Sequence, residues 1–147
     1  MPTPYRGGCR CGAIRYEIAA EPMFGGQCQG LHCQRESGGG HASFIAFPAA
    51  ALKLTGTPRF HEAKADSGNL VRRGFCATCG SPVVSETSGF PSMRAISVGS
   101  LDDPSVFKPQ FVCYTSRGHA WDLVDPALPS FPEMPVMPGA GPSGTRP

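Results

Sequence analysis

Short apolar segments with the composition of β-strands recur along the chain, and one of them shows the hydrophobic–polar alternation of a half-buried strand. Ile14, Tyr16 and Ile18 alternate with charged residues. Similar strand segments are SFIAF (43–47), PVVSE (82–86), RAISVG (94–99) and QFVCY (110–114). No segment keeps a 3.6-residue apolar period beyond a turn or two, and PAAALKL (48–54) predicts a single helical turn. We therefore expect an all-β chain of short strands.

A hairpin is predicted near the middle of the chain. PRFHEA (58–63) and NLVRRGF (69–75) have strand composition, and the segment between them contains Asp66, Ser67 and Gly68. Because these three residue types favour tight turns, they are expected to make the turn between the two strands.

The length of 147 residues fits one domain with an ordinary core. The composition changes after about Val124, where a proline recurs about every third residue up to Pro138. We expect a folded domain over residues 1–124 and a disordered Pro/Gly-rich tail over residues 125–147. A role of this tail as ligand for a proline-recognising partner is the less favoured alternative.

Charge and hydropathy restrict the classes of function. Charged residues make up 16% of the chain and the net charge is +2, with Arg72-Arg73 as the nearest approach to a basic cluster. No nucleic-acid partner is therefore expected. The N-terminus lacks an apolar signal segment and no run reaches the length of a membrane helix, so we expect a cytoplasmic protein. Seven cysteines in a reducing compartment favour metal ligation over disulfides.

Two close-spaced cysteine pairs point to zinc. Cys9 and Cys11 form one pair, Cys76 and Cys79 form the other, and glycines flank both. Zn²⁺ in structural sites is held by four protein ligands in tetrahedral geometry, commonly four thiolates. The sequence therefore predicts a four-cysteine structural zinc that joins the N-terminal strand to the middle of the chain. Four buried cysteines with coincidental spacing are the alternative.

A third pair has unusual spacing. In CQGLHC, Cys28 and Cys33 are separated by four residues, whereas metal-binding turns usually have two. From the residues alone, the pair is a working metal site, a damaged one or two unrelated thiols.

Several segments occur in the order of a known family. They are GCRCGAIRYE, CQGLHCQRESGG, FCATCGSPV and GSLDDPSVF, followed by Trp121. From Gly7 to Trp121 the chain resembles the glutathione-dependent formaldehyde-activating enzyme family, which also includes centromere protein V. The resemblance implies a β-tent of small antiparallel sheets around a structural zinc, with ligands at Cys9, Cys11, Cys76 and Cys79.

The resemblance also implies a second zinc, which is weakened in this chain. The family ligates it through a Cys-x-Cys-x-x-Cys segment, whose positions here are Cys28, Gly30 and Cys33. Glycine thus stands in place of the middle ligand. His32 is the first candidate to substitute for it, and His41 and His119 are weaker candidates. Cys113 is interpreted as a small apolar strand residue.

The resemblance implies an enzyme that adds the glutathione thiol to formaldehyde. The reverse reaction breaks the C–S bond, so the enzyme is classed as a carbon–sulfur lyase. Cys28 and Cys33 would be the catalytic residues. Arg35 is the candidate to bind a glutathione carboxylate, since guanidinium groups bind carboxylates in bidentate fashion. Two alternatives stay open: a zinc-stabilised binding domain without catalysis, and an interaction protein like centromere protein V.

Overall fold

A computed structural model describes residues 4–135. These residues form ten strands in two sheets, one α-helix and four short 3₁₀ turns. The strands are β1 (Tyr5–Gly8), β2 (Arg15–Ile18), β3 (Phe24–Cys28), β4 (Ala42–Pro48), β5 (Leu52–Thr55), β6 (Arg59–Lys64), β7 (Leu70–Phe75), β8 (Pro82–Thr87), β9 (Met93–Ser97) and β10 (Val112–Cys113). The helix is α1 (Leu31–Ser37). The expected β-rich fold of small sheets is confirmed.

The smaller sheet is antiparallel, with strand order β1-β2-β5. Its central strand confirms the alternation read from the sequence, because Tyr16 and Ile18 are buried whereas Arg15 is exposed. β5 lies where only a helical turn was predicted. The turn is present, but it ends at Ala51, and Leu52 begins the strand.

The larger sheet has the order β10-β3-β4-β9-β8-β7-β6. All of its pairings are antiparallel except β10 with β3, which places Cys113 opposite Cys28. The predicted hairpin is confirmed as β6 and β7, and its turn ends at Gly68, whose φ of +90° favours glycine.

The helix was not predicted. α1 has only seven residues, none of them buried, so it has no apolar stripe that a periodicity search could detect. It ends at Gly38, which has a φ of +76° and donates its N–H to the carbonyl oxygen of Gln34. Among residues 4–135, no helix combines the length and the apolar character required to cross a membrane.

Two hydrophobic clusters lie on opposite faces of the larger sheet. Strand β4 shows the division, because Ile45 and Phe47 belong to one cluster and Ala46 belongs to the other. The first cluster fills the space between the two sheets. The second cluster includes Phe111 and Cys28 and borders the cleft described below.

Part of the segment expected to be disordered packs against the domain. Phe131 donates its N–H to the carbonyl oxygen of Val112 at 2.9 Å, and its ring meets that of Phe111 edge-on at 6.3 Å. Val112 in turn donates its N–H to Pro129. The expected boundary at residue 124 remains a prediction, and residues 136–147 of the expected tail lie outside the described residues.

Candidate metal centre and thiol-lined cleft

Two turns bring four cysteines together. Cys9 and Cys11 lie in the turn between β1 and β2, and Cys76 and Cys79 lie in the turn between β7 and β8. Their Sγ atoms all lie within 4.8 Å of one another. The Cys9–Cys11 and Cys11–Cys76 sulfur distances are both 3.7 Å, close to the separation of about 3.8 Å that tetrahedral Zn–S bonds of about 2.3 Å require. This four-cysteine cluster fits a metal ion.

The two turns repeat one hydrogen-bond pattern. In the second turn, Cys76 donates its N–H to the carbonyl of Ser81 and accepts from the N–H of Gly80. Gly80 has a φ of +79°, which explains why glycine follows the second cysteine of this pair. The first turn has the same pattern, with Cys9 bonded to Ile14 and Gly12.

Backbone amides point at the sulfurs. The N–H of Ile14 lies 3.2 Å from Cys9 Sγ, and that of Thr78 lies 3.4 Å from Cys76 Sγ. Such donors stabilise a thiolate. Hydrogen bonds from Ser81 lower the pKa of the Cys79 thiol to about 5. By contrast, despite an opposing backbone hydrogen bond at Ala13, hydrogen bonding with Cys9 raises the pKa of the Cys11 thiol to about 11. Cys79 is therefore better prepared than Cys11 to bind a metal as an anion.

Three other thiols form a second, looser group, called the cleft thiols below. Cys28 ends β3, Cys33 lies on α1 and Cys113 lies on β10. Hydrogen bonding to Cys113, together with burial and despite an opposing hydrogen bond with Cys33, raises the pKa of Cys28 to about 12. The thiols of Cys28 and Cys113 are buried, with 8% and 1% exposure. Cys28 therefore keeps its proton at neutral pH.

The cleft thiols do not make a compact metal site. Within residues 4–135, the four-cysteine cluster is the only group in which three or more candidate ligand atoms all lie within 4.8 Å. Gly30 explains part of the difference between the cleft thiols and the four-cysteine cluster. Its N–H lies 3.4 Å from Cys28 Sγ, and a Cβ built on it would lie 3.3 Å from the same sulfur. A cysteine at position 30 would thus stand beside Cys28, and the second zinc remains a prediction.

The cleft thiols line a cavity of about 350 Å³, called the cleft. Helix α1, the β6–β7 turn and residues of β3, β4, β8, β9 and β10 surround it. Much of its wall is aromatic or aliphatic, including Phe24, Phe44, Phe90, Met93, Tyr114 and Met134. Its size is within the range of small-molecule sites.

Charged groups of the wall are mostly paired. Arg73 Nε lies 3.7 Å from Glu36 Oε1, and both side chains are about one-fifth exposed. Burial raises the pKa of Glu36, although Arg73 opposes the shift. Glu86 accepts from Arg72 and, at 3.0 Å, from Arg94. No local sequence pattern predicts the pairing of Glu36 with Arg73 in the cleft, because only the pairing of distant elements brings them together.

The structure separates Arg35 from the cleft. Arg35 is exposed and lines a neighbouring hollow with His61 and Phe75, whereas His32, also exposed, borders both cavities. The predicted roles of Arg35 and His32 remain predictions. Cys113, by contrast, was interpreted as a strand residue, and the structure adds it to the cleft. No local sequence pattern predicts that Cys113 lines the cleft, because its neighbour Cys28 lies far away in sequence.

Two histidines considered as ligands do not line the cleft. His41 Nδ1 lies 2.9 Å from the carboxylate of Asp122. His119 stacks on Trp121, with ring centroids 5.1 Å apart, and its Nε2 lies 3.1 Å from Gln34 Oε1. These contacts hold the segment from His119 to Asp122 against the start of β4 and against α1.

Comparison with known proteins identifies the family. Residues 4–117 match the family model described as glutathione-dependent formaldehyde-activating enzyme. The chain belongs to this family. No curated protein matches the sequence. A Rhodobacter sphaeroides protein solved as a structural-genomics target is similar in fold, with a TM-score of 0.55 and 16% identity over 86% of this chain and 98% of that one.

Proposed function

We propose that the chain is a zinc-containing carbon–sulfur lyase-type enzyme that makes or breaks thiol–aldehyde adducts in the cleft. Glutathione and formaldehyde are the reactants associated with the family. One observation carries the proposal: the segment from Cys28 to Cys33 lines a cavity of ligand size. In this account the protein works in the cytoplasm.

Zinc has a structural role in this proposal. Cys9, Cys11, Cys76 and Cys79 would hold it, and it would fasten the β1–β2 turn to the β7–β8 turn. Zinc in such closed sites supplies folding free energy rather than a reaction step. None of these four cysteines lines the cleft.

The reaction needs two reactants held in contact. In the direction of synthesis, the substrate sulfur bonds to the aldehyde carbon as the C=O π bond opens, and the thiol proton ends on the former carbonyl oxygen. The cleft lowers the entropic cost by holding both reactants together. Cys28 and Cys33 form the polarisable part of its wall, next to Cys113.

A second candidate function is ligand binding without catalysis. Gly30 favours it, because the chain lacks the middle thiol and the cleft thiols are loosely grouped. The two candidates predict the same binding site and differ only in turnover.

Exchange NMR distinguishes the two candidates. With glutathione and formaldehyde, wild-type protein should accelerate the exchange between free formaldehyde and its hydroxymethyl adduct. Cys28→Ser should remove the acceleration, whereas His61→Gln, at an exposed strand position outside the cleft, should retain it. Ligand shifts at the cleft without any acceleration would instead establish the binding domain.

A further inference from the structure

The cleft presents a preformed apolar wall. The rings of Phe24 and Phe44 meet edge-on with centroids 6.3 Å apart, and Phe24 lies 6.5 Å from Phe90. Aromatic residues that hold one another in this way keep their rotamers fixed before a ligand arrives. The wall therefore matches a ligand with an aliphatic or aromatic body.

The cationic groups of the wall are poorly available to a ligand. Arg73 is bound by Glu36 at 3.7 Å, inside the cleft. Of the two arginines in the described lining, only Arg117 lacks an ion-pair partner among residues 4–135. The lining also carries the carboxylates of Glu36, Asp66 and Glu86, so acidic groups outnumber guanidinium groups.

Glutathione is poorly suited to such a wall. It carries two carboxylates and one ammonium group. The acidic groups of the wall can pair with the ammonium group, but a carboxylate that leaves water without a cationic partner is strongly destabilised. Arg117 could meet one carboxylate only. A substrate with an uncharged apolar body has no such desolvation penalty, and the burial of its apolar surface favours binding.

Resting on the proposed function, we propose that the thiol substrate of this cleft has an uncharged apolar body, as in an alkyl or aryl thiol and its hydroxymethyl adduct. Glu36 acts as a specificity determinant in this proposal, because it occupies the guanidinium group that a carboxylate would otherwise bind.

Binding is measured first, with thioethers that neither remove zinc nor form disulfides. Benzyl methyl sulfide and S-methylglutathione are titrated into wild-type protein, and amide shifts are followed by NMR. The benzyl compound should bind at least about tenfold more tightly, with shifts around Phe90, Cys28 and Tyr114. Equal or tighter binding of S-methylglutathione at these residues, or no binding of either compound, would overturn the proposal.

Two variants test how the charges act. Glu36→Gln should release Arg73, so the affinity for S-methylglutathione should rise several-fold while that for the benzyl compound stays the same. Glu62→Gln is the matched control, since Glu62 pairs with Arg72 at 3.8 Å and lies outside the cleft lining. If Glu36→Gln does not fold, the wild-type titration alone decides.

The neighbouring hollow offers a competing way for a glutathione-like peptide to bind. It shares Glu36 and Arg73 with the cleft and adds Arg35, so a peptide that spans both cavities would find another cation. Wild-type affinity for S-methylglutathione that equals the benzyl affinity and falls in Arg35→Gln would overturn the proposal in favour of this arrangement.

Turnover is measured separately. Exchange NMR is repeated with the hydroxymethyl adducts of benzyl mercaptan and glutathione. Preferential benzyl binding without accelerated exchange supports the ligand class and contradicts the proposed enzyme activity. Acceleration with glutathione alone supports the enzyme and overturns the ligand class.

Discussion

Two groups of thiols in one small protein differ in how compact they are and in the pKa of individual members. The four-cysteine cluster comes from two turns with the same hydrogen bonds, and its Sγ atoms all lie within 4.8 Å of one another. The cleft thiols come from two strands and a helix, and their ligand atoms are not so compact. Ser81 lowers the pKa of Cys79 to about 5, whereas Cys113 and burial raise that of Cys28 to about 12.

The difference shows how local structure decides what a thiol can do. A turn aims backbone amides at sulfur and favours the thiolate that binds a metal. A buried strand and a neighbouring thiol favour the protonated form, which suits the wall of an apolar cavity. In the proposed function the first group would hold the structural zinc, and the second group lines the cleft.

The largest expected effect comes from breaking the cluster. Cys76→Ser should lose zinc and lower the free energy of unfolding by more than about 4 kcal/mol. Cys113→Ser is the matched control, since both cysteines are buried with 1% exposure; it should keep zinc and cost about 1–3 kcal/mol for the buried hydroxyl. Urea denaturation with zinc analysis measures both, and equal losses would remove the distinction between the two groups.

Gly30→Cys should make the cleft thiols able to hold a metal, as is proposed for the four-cysteine cluster. Its φ is −62°, and its nearest neighbour atoms would need to move only by tenths of an ångström to accept a Cβ. The added thiol should raise the zinc content from one towards two per chain, as measured by elemental analysis. Gly39→Cys, in the loop after α1, is the control; a content that stays at one in both variants would contradict the missing-ligand explanation of Gly30.

Alkylation rates test whether the Cys28 thiol is protonated at neutral pH. Only the thiolate reacts, so the rate at Cys28 should be low at pH 7 and rise about tenfold per pH unit up to pH 9. Free cysteine, with a pKa of about 8.5, should level off over the upper part of this range. Mass spectrometry of the zinc-bound protein measures the site-specific rate. A rate at Cys28 that is independent of pH would mean that its thiol is already ionised.

The smallest effect concerns an exposed ion pair next to the first turn. Arg15 donates two hydrogen bonds to Asp102, at 2.9 and 2.6 Å, and these lower the pKa of Asp102. Its stabilising contribution is therefore present above the unfolded-state pKa of about 3.9 and is lost as the pH falls through the lower folded-state pKa. Because both side chains are about half exposed, Asp102→Asn should cost only about 0.5 kcal/mol at pH 7.

Urea denaturation midpoints of wild type and Asp102→Asn between pH 6 and pH 3 test whether the ion pair loses its stabilising contribution as the pH falls. The difference between their midpoints should shrink towards acid pH. A difference that grows on acidification would show that the pair does not act through the carboxylate.

Sequence patterns revealed the parts of the molecule whose determinants are local. Paired cysteines beside glycine predicted the four-cysteine cluster, because each pair needs only one turn. Alternation around Tyr16 predicted β2, since that strand has one buried face. Glycine-rich β1 and β3 offered no such alternation and were missed.

The cleft depends on contacts that are distant in sequence and was only partly predictable. Cys28 and Cys33 were recognised through a family motif, but Cys113 joins them only because β10 pairs in parallel with β3. Arg73 lies in a strand that was predicted from the sequence, and the structure pairs it with Glu36 of α1. Neither partner carries a local signal of the other.

Zinc content of the purified wild-type protein, together with the sulfur coordination seen by X-ray absorption, tests the central claim most directly. The account predicts one zinc per chain with four sulfur neighbours at about 2.3 Å, retained in Cys28→Ser and lost in Cys76→Ser. Folded wild-type protein without zinc, or zinc that is lost in Cys28→Ser and kept in Cys76→Ser, would contradict it.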